Sequence, residues 1–212
     1  GNQHPPLYPD VAGMDTFLGD SWHATQWNHE VDLAGKHVAI VGSAASAVQI
    51  VPEIAKIAGR VTVLQRTPNW IMPRGRKFYS ERKRAWYRRI PALIRMTQFS
   101  QKFMMSFVHQ AATLGHKRME QFENIGRKSI RDAISNPVLR EILPPDSRFA
   151  CKRPLVSDDF YPALGLDHVE LIPAGLEEVR SNSIVVSGGR EFEVDVIVYC
   201  TGYRILDFDR ID

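Results

Sequence analysis

The chain reads as an α/β fold: a central parallel sheet flanked by helices, with an antiparallel β-meander and a helical insertion. Three observations carry this. A short apolar strand, an apolar-striped helix and a second apolar strand follow one another between residues 37 and 65. Long-side-chained helical sequence fills 80–142, and short strand-like segments resume after Pro145. At 212 residues the chain is long enough to bury a full core.

From Gly1 to Asp32 the chain holds Pro5, Pro6, Pro9, Gly13 and Gly19 with few periodic apolar residues, so 1–34 is expected to be an extended connector. Gly35 introduces His37-Val38-Ala39-Ile40-Val41-Gly42, an apolar run of the kind a parallel sheet buries. The period then changes over Ala44 to Ile57, where Ala47, Val48, Ile50, Val51, Ile54 and Ile57 fall at helical spacings and Gly59 suits the stop. Arg60-Val61-Thr62-Val63-Leu64-Gln65 is β-branched and apolar again. Strand, helix and strand in so short a span make one βαβ unit with a right-handed crossover. Residues Pro68 to Gly75 are expected to form a loop.

Within 80–142, Phe99, Phe103, Phe107, Ala111 and Leu114 recur at every third or fourth place, with Met104 and Val108 beside them. This stripe is expected to pack as core in two or three helices broken near Pro91, Gly115 and Pro137. A short helix over Asp158 to Leu164, capped by Ser157, should follow. Strands are expected at Val169–Ile172, Glu177–Val179, Ile184–Val186 and Phe192–Tyr199, with Gly188-Gly189 as a hairpin turn.

A hydrophobic fraction of 44% with 24% charged residues is ordinary for a globular protein. No run approaches the roughly 18 apolar residues of a membrane helix. The polar, Pro-rich start does not resemble a signal peptide, so a cytoplasmic location is expected. Cys151 and Cys200 stand far apart without a CxxC pair, which speaks against a thioredoxin motif or a thiolate zinc site. Both are expected to be small buried residues, and no metal site is expected.

The net charge of +3 is unevenly spread: between Arg74 and Arg95 nine Lys or Arg residues face the single acid Glu81. A solvated helix face, or a surface meeting an acidic domain, is the ordinary reading. With Tyr79, Trp86 and Tyr87 the run also fits a helix lying on anionic lipid or a nucleic-acid track. No nucleic-acid partner is expected.

The chemistry concentrates at the turn Gly42-Ser43-Ala44-Ala45-Ser46-Ala47, a G-x-A-x-x-A variant of the dinucleotide-binding turn that makes the fold Rossmann-like. Gly42 lets the backbone leave the strand sharply, a small residue at 44 lets it approach a pyrophosphate, and one at 47 lets helix and strand pack closely. The helix N-terminus offers free N–H groups and about half a positive charge. Ser43, Ser46 and Gln49 complete the expected contacts. An NAD site usually carries an acid at the end of the second strand. Here Gln65-Arg66-Thr67 stands instead, and a guanidinium with a hydroxyl suits a 2′-phosphate, so NADP is favoured over NAD.

Phe17-x-Gly19-x-x-x-His23-x-x-x-Trp27 resembles the fingerprint of Baeyer–Villiger monooxygenases, and Trp27 favours them over N-oxidising flavin-containing monooxygenases. Gln65-Arg66-Thr67-Pro68-Asn69-Trp70, Cys151-Lys152-Arg153-Pro154 and the segment Asp195 to Tyr203 are similar to the same family, with Cys200 where Ala is usual. The resemblance implies that Arg66, Thr67 and Lys152 hold the 2′-phosphate and that Thr201-Gly202 approaches the cofactor. It implies that Arg153 matches the arginine that stabilises the flavin peroxide anion and positions the nicotinamide. Phe17, Gly19, His23 and Trp27 would then serve an interdomain hinge rather than proton transfer.

On this reading 35–78 and 143–212 form an NADP-binding domain, 79–142 a helical insertion, and 1–34 the connector from an FAD domain in cis. No second Gly-rich turn occurs, so the FAD site should lie outside this chain, which alone should be inactive. The whole enzyme would oxygenate a ketone with NADPH, FAD and O2. An N- or S-oxidising enzyme acting on a heteroatom substrate, or an NADP(H)-binding module without chemistry of its own, is the alternative.

Overall fold

Val38, Ala39, Ile40 and Val41 are all buried, and a strand apolar on both faces can be stable only inside a sheet covered from both sides. A computed structural model of the chain, describing the backbone of residues 5–75, 78–114 and 117–204 and the side chains of those outside 107–118, shows how the covering is done. Five parallel strands pair in the order β1 (Asp20–His23), β10 (Val196–Tyr199), β2 (His37–Val41), β3 (Arg60–Leu64), β6 (Val169–Ile172). Alternate residues go to opposite faces. Val38, Ile40, Val61, Val63, Val196 and Val198 join α1 (Ala45–Ile54), α6 (Phe160–Leu164) and Ile130 and Ile134 in one cluster. Ala39, Val41, Leu64, Ile197 and Tyr199 join Val179, Ile184, Val186 and Phe192 in the other. Helices therefore cover one face. The other is covered by an antiparallel sheet of β7 (Leu176–Val179), β8 (Ser183–Val186) and β9 (Glu191–Glu193).

Four expectations need correction. Within the expected connector, β1 pairs in register with β10, burying Trp22 and His23; Asp-Ser-Trp-His offers too little apolar patterning to announce a strand. The run Phe192 to Tyr199 is two strands in two sheets. The chain turns the corner at Asp195, whose Oδ2 accepts the His37 N–H at 2.7 Å, and because Phe192 and Val194 are buried too, the apolar run hides the corner. The expected loop 68–75 contains β4 (Ile71–Met72), paired with β5 (Leu155–Val156). Cys200 is buried as expected, but Cys151 is exposed.

Where two or three helices were expected, the described residues of the insertion form four: α2 (Glu81–Arg89), α3 (Pro91–Leu114), α4 (Lys117–Ala133) and α5 (Pro137–Ile142). Ser80 caps α2, accepting the Lys83 N–H at 3.4 Å. On α4, Ile130 enters the main core and Met119 packs with Trp70 and Phe149. The stripe expected to be core behaves otherwise: Phe99 is 71%, Phe103 68% and Met104 60% exposed. Helical spacing shows that an apolar face exists and not what covers it. Phe107, Val108, Ala111 and Leu114 lie outside the described side chains, and Gly115 outside the described residues.

Candidate functional site

The chain leaves β2 at Val41 and must enter α1 within three residues. Gly42 makes the turn with φ of +107°, a conformation that L side chains rarely adopt. A Cβ on Gly42 would stand 2.6 Å from the Cys200 carbonyl oxygen. Two backbone bonds fix this approach: the Gly42 N–H donates to Leu64 O at 3.0 Å, and the Cys200 N–H to Val41 O at 2.8 Å. Ala44 is the extended N-cap of α1, no side chain caps the helix, and its first turn carries no acid. Its leading N–H groups and the positive end of its dipole are thus left for a ligand.

Around this turn lies a cleft of roughly 680 Å³. Val41, Leu64 and Cys200 line it where β2, β3 and β10 finish, and Ala174 and Gly175 line it just beyond β6. This is the crevice outside the carboxyl ends of parallel strands, where the winding direction of the sheet reverses, in which open α/β sheets bind ligands.

Of the residues singled out in sequence, Gly42, Ser43, Ala44, Arg66, Thr67, Lys152 and Thr201 line this cleft together. Ser43 is buried, while Arg66, Thr67 and Lys152 are exposed. Among the described residues two cations and one carboxylate, Asp10, line it, and this balance favours an anion. Gly202 stands beside Thr201 with φ of +90° and accepts the Leu7 N–H at 3.0 Å.

The remaining cofactor candidates stand apart from the cleft lining. Ala47 is fully buried in the core, where it lets α1 sit close on the sheet. Ser46 is half-buried on α1, and Gln49 turns its amide back to Ala45 O at 3.1 Å. Arg153 is exposed next to Lys152 without lining the cleft.

The N-terminal segment lines the cleft too, at Leu7, Tyr8, Pro9 and Asp10, which the sequence did not signal. It is strapped down by the Leu7–Gly202 bond, by the Thr201 hydroxyl donating to Leu7 O, and by the Arg204 N–H on Pro5 O at 3.1 Å. Asn69, which lies in the family-like segment 65–70 without having been given a role, also lines the cleft, as does Ser187, which nothing in its local sequence marked.

The fingerprint residues flank this strap. Gly19 passes so close to Asp195 that a Cβ would lie 2.4 Å from its carbonyl oxygen, which ties the entry of β1 to the start of β10. Phe17 packs on the meander cluster, and Trp27 meets Trp22 edge-on at 5.5 Å. His23 is buried, with Tyr8 and Tyr203 edge-on at 5.6 and 6.0 Å. His23 Nδ1 lies 2.8 Å from the Thr25 hydroxyl and accepts the Thr25 N–H at 3.3 Å. Burial holds its pKa below the ordinary imidazole value, partly offset by the Gly202 backbone. Among the described residues no cluster of His, Cys, Asp or Glu could hold a metal ion, and no helix is long and apolar enough to cross a membrane.

Known proteins share this fold. The family model of flavin-binding monooxygenase-like proteins matches residues 2–210. A Baeyer–Villiger monooxygenase of Streptomyces coelicolor is 40% identical over 202 residues, covering 95% of this chain and 39% of that protein. One of Pseudomonas aeruginosa is 35% identical over 207 residues, covering 98% and 39%. The crystal structure of OTEMO in complex with FAD and NADP superposes with a TM-score of 0.80 at 28% identity, over 100% of this chain and 48% of that one. The chain spans about two-fifths of the length of these relatives and about half of the solved chain.

Proposed function

Because the chain belongs to the flavin-binding monooxygenase-like family, we propose that its cleft holds NADPH and that it forms the nicotinamide-cofactor part of an FAD-dependent Baeyer–Villiger monooxygenase. The observation that carries the reading is the uncapped N-terminus of α1 sharing one cleft with Arg66. The residues fit the group. Gly42 keeps its turn clear of a side chain, the α1 N–H groups suit a pyrophosphate, and Arg66, Thr67 and Lys152 suit a 2′-phosphate. The same solved relative is a complex with both FAD and NADP.

When bound, NADPH supplies a hydride to a flavin, and the flavin supplies the oxygen chemistry. What this chain contributes is binding and orientation. The N-terminus of α1 would hold the pyrophosphate, and Arg66, Thr67 and Lys152 would hold the 2′-phosphate. Thr201 and Gly202 hold the strap that walls the cleft. We assign to Arg153 the positioning of the nicotinamide and the stabilisation of an anion, which a fixed guanidinium favours in a dry site. Its exposure here means that this role needs a further surface brought against it. His23 and its fingerprint neighbours serve as the hinge between this part and the flavin-binding part. The substrate is a ketone, with O2 as oxidant. Oxidation at nitrogen or sulfur is the competing chemistry, and an NADP(H)-binding module without chemistry of its own is the alternative from another class.

Calorimetric titration with NADPH and NADH tests the reading. NADPH should bind more tightly, and Arg66→Ala should erase the difference. Equal affinities in the unaltered protein would sink the assignment of Arg66.

A further inference from the structure

Helices α2 and α3 carry an apolar face that nothing among the described residues covers. Met96, Phe99 and Phe103 follow at three and four residues and so share one side of α3, and they are 68%, 71% and 68% exposed. Trp86, 60% exposed, lines one groove with Met96 and Lys83, so the face continues onto α2. No residue of α2 is buried. Arg82 and Arg89 stand four and three residues from Trp86 and flank it. From Phe78 to Ser106 the sequence holds seven Lys or Arg residues and one acid, Glu81, which is paired with Arg84 at 2.8 Å.

We propose that this face is a docking surface for an anionic lipid bilayer. Charge complementarity selects the occupant. Large apolar side chains next to a dense cationic border match the hydrocarbon and headgroup layers of an acidic membrane, and each signal alone gives only marginal binding. A second copy of the chain would bring one basic face against another, a repulsive arrangement. Nucleic acid would meet the arginines and stack on Trp86, but it has no partner for the exposed methionines. The helices lie flat on the bilayer, since among the described residues no helix is long and apolar enough to span it. The cleft, built on other elements, stays open to water.

The test is flotation of the protein, with whatever natural sequence flanks residues 1–212, on phosphatidylcholine vesicles with and without phosphatidylglycerol. The protein should float only with the anionic vesicles, and raised salt should release it. The pair Arg82→Glu with Arg89→Glu and the pair Phe99→Asp with Phe103→Asp should each weaken binding by about tenfold or more. These positions are exposed, so far-UV circular dichroism should be unchanged. Should the second pair unfold the protein, Trp86→Ser takes its place. Absence of flotation, or flotation indifferent to the Phe99 and Phe103 changes, overturns the proposal. So does a dimer in sedimentation velocity that those changes dissolve, or oligonucleotide binding tighter than vesicle binding.

Discussion

The Cα of Gly42 faces the carbonyl of Cys200 so closely that one added carbon would stand 2.6 Å from its oxygen. The residue that opens the turn between β2 and α1 and the residue that follows the last strand of the parallel sheet are thus fitted to each other through backbone alone. Gly42→Ala meets both the clash and a φ of +107°. We expect it to cost about 1–3 kcal/mol, a fall in melting temperature of several degrees, along with loss of NADPH binding. A variant melting with the parent would show that the turn relaxes freely.

Lys152 tests the phosphate site separately from the turn. It lines the cleft together with Arg66 and Thr67 although more than 80 residues separate it from them. Lys152→Ala should weaken NADPH by about tenfold and leave NADH nearly unchanged, because only the 2′-phosphate needs that charge. An equal loss for both nucleotides would place Lys152 elsewhere on the ligand.

How much of this was legible in the sequence depended on where the signal was local. The βαβ unit and the Gly42 turn announce themselves, because apolar runs and small residues at fixed spacing are properties of a short segment. Arg66 could be read for the same reason, as the cation at a strand end where an acid would otherwise stand. The strap at Leu7 to Asp10 could not, because its place depends on backbone bonds to residues almost 200 positions away. Strand β1 was hidden for the same reason, and the exposure of Phe99 because a stripe does not name its partner.

Stability should depend on pH through two imidazoles. His23 is held below the ordinary value of 6.5 by burial, and His37 by burial and then by the nearby Arg60. The unfolded chain takes up a proton on each near pH 6.5, while the native chain resists until lower pH. Stability is therefore whole above about pH 6.5 and is lost as the pH falls from there toward the folded values. Urea midpoints should drop between about pH 7 and about pH 5.5, and less steeply in His23→Gln. A flat profile, or an unchanged slope in the variant, would remove the assignment.

The two thiols should behave unequally. Burial pushes the Cys200 thiol up to about 12, whereas Cys151 is exposed. At mildly alkaline pH a disulfide reagent should modify one cysteine in the native protein and two in denaturant. Rapid modification of both without denaturant would show that the segment after β10 opens readily.

The strap offers a local test. Thr201→Val removes the hydroxyl that donates to Leu7 O. The cost should be about 1 kcal/mol and confined to the strap. Hydrogen exchange at the Leu7 amide should quicken while the amides of β2 keep their protection. Faster exchange throughout the sheet would mean that the strap is part of the main cooperative unit.

The place of β10 between β1 and β2 has a consequence for biosynthesis. A nascent chain emerging from the ribosome has β1, β2 and β3 in hand early, yet the slot between the first two can be filled only once residues 196–199 are out. Until then β2 offers a bare apolar edge, which other chains can pair with. Folding of this sheet must wait for residue 199, and products cut short before it should be aggregation-prone rather than partly functional.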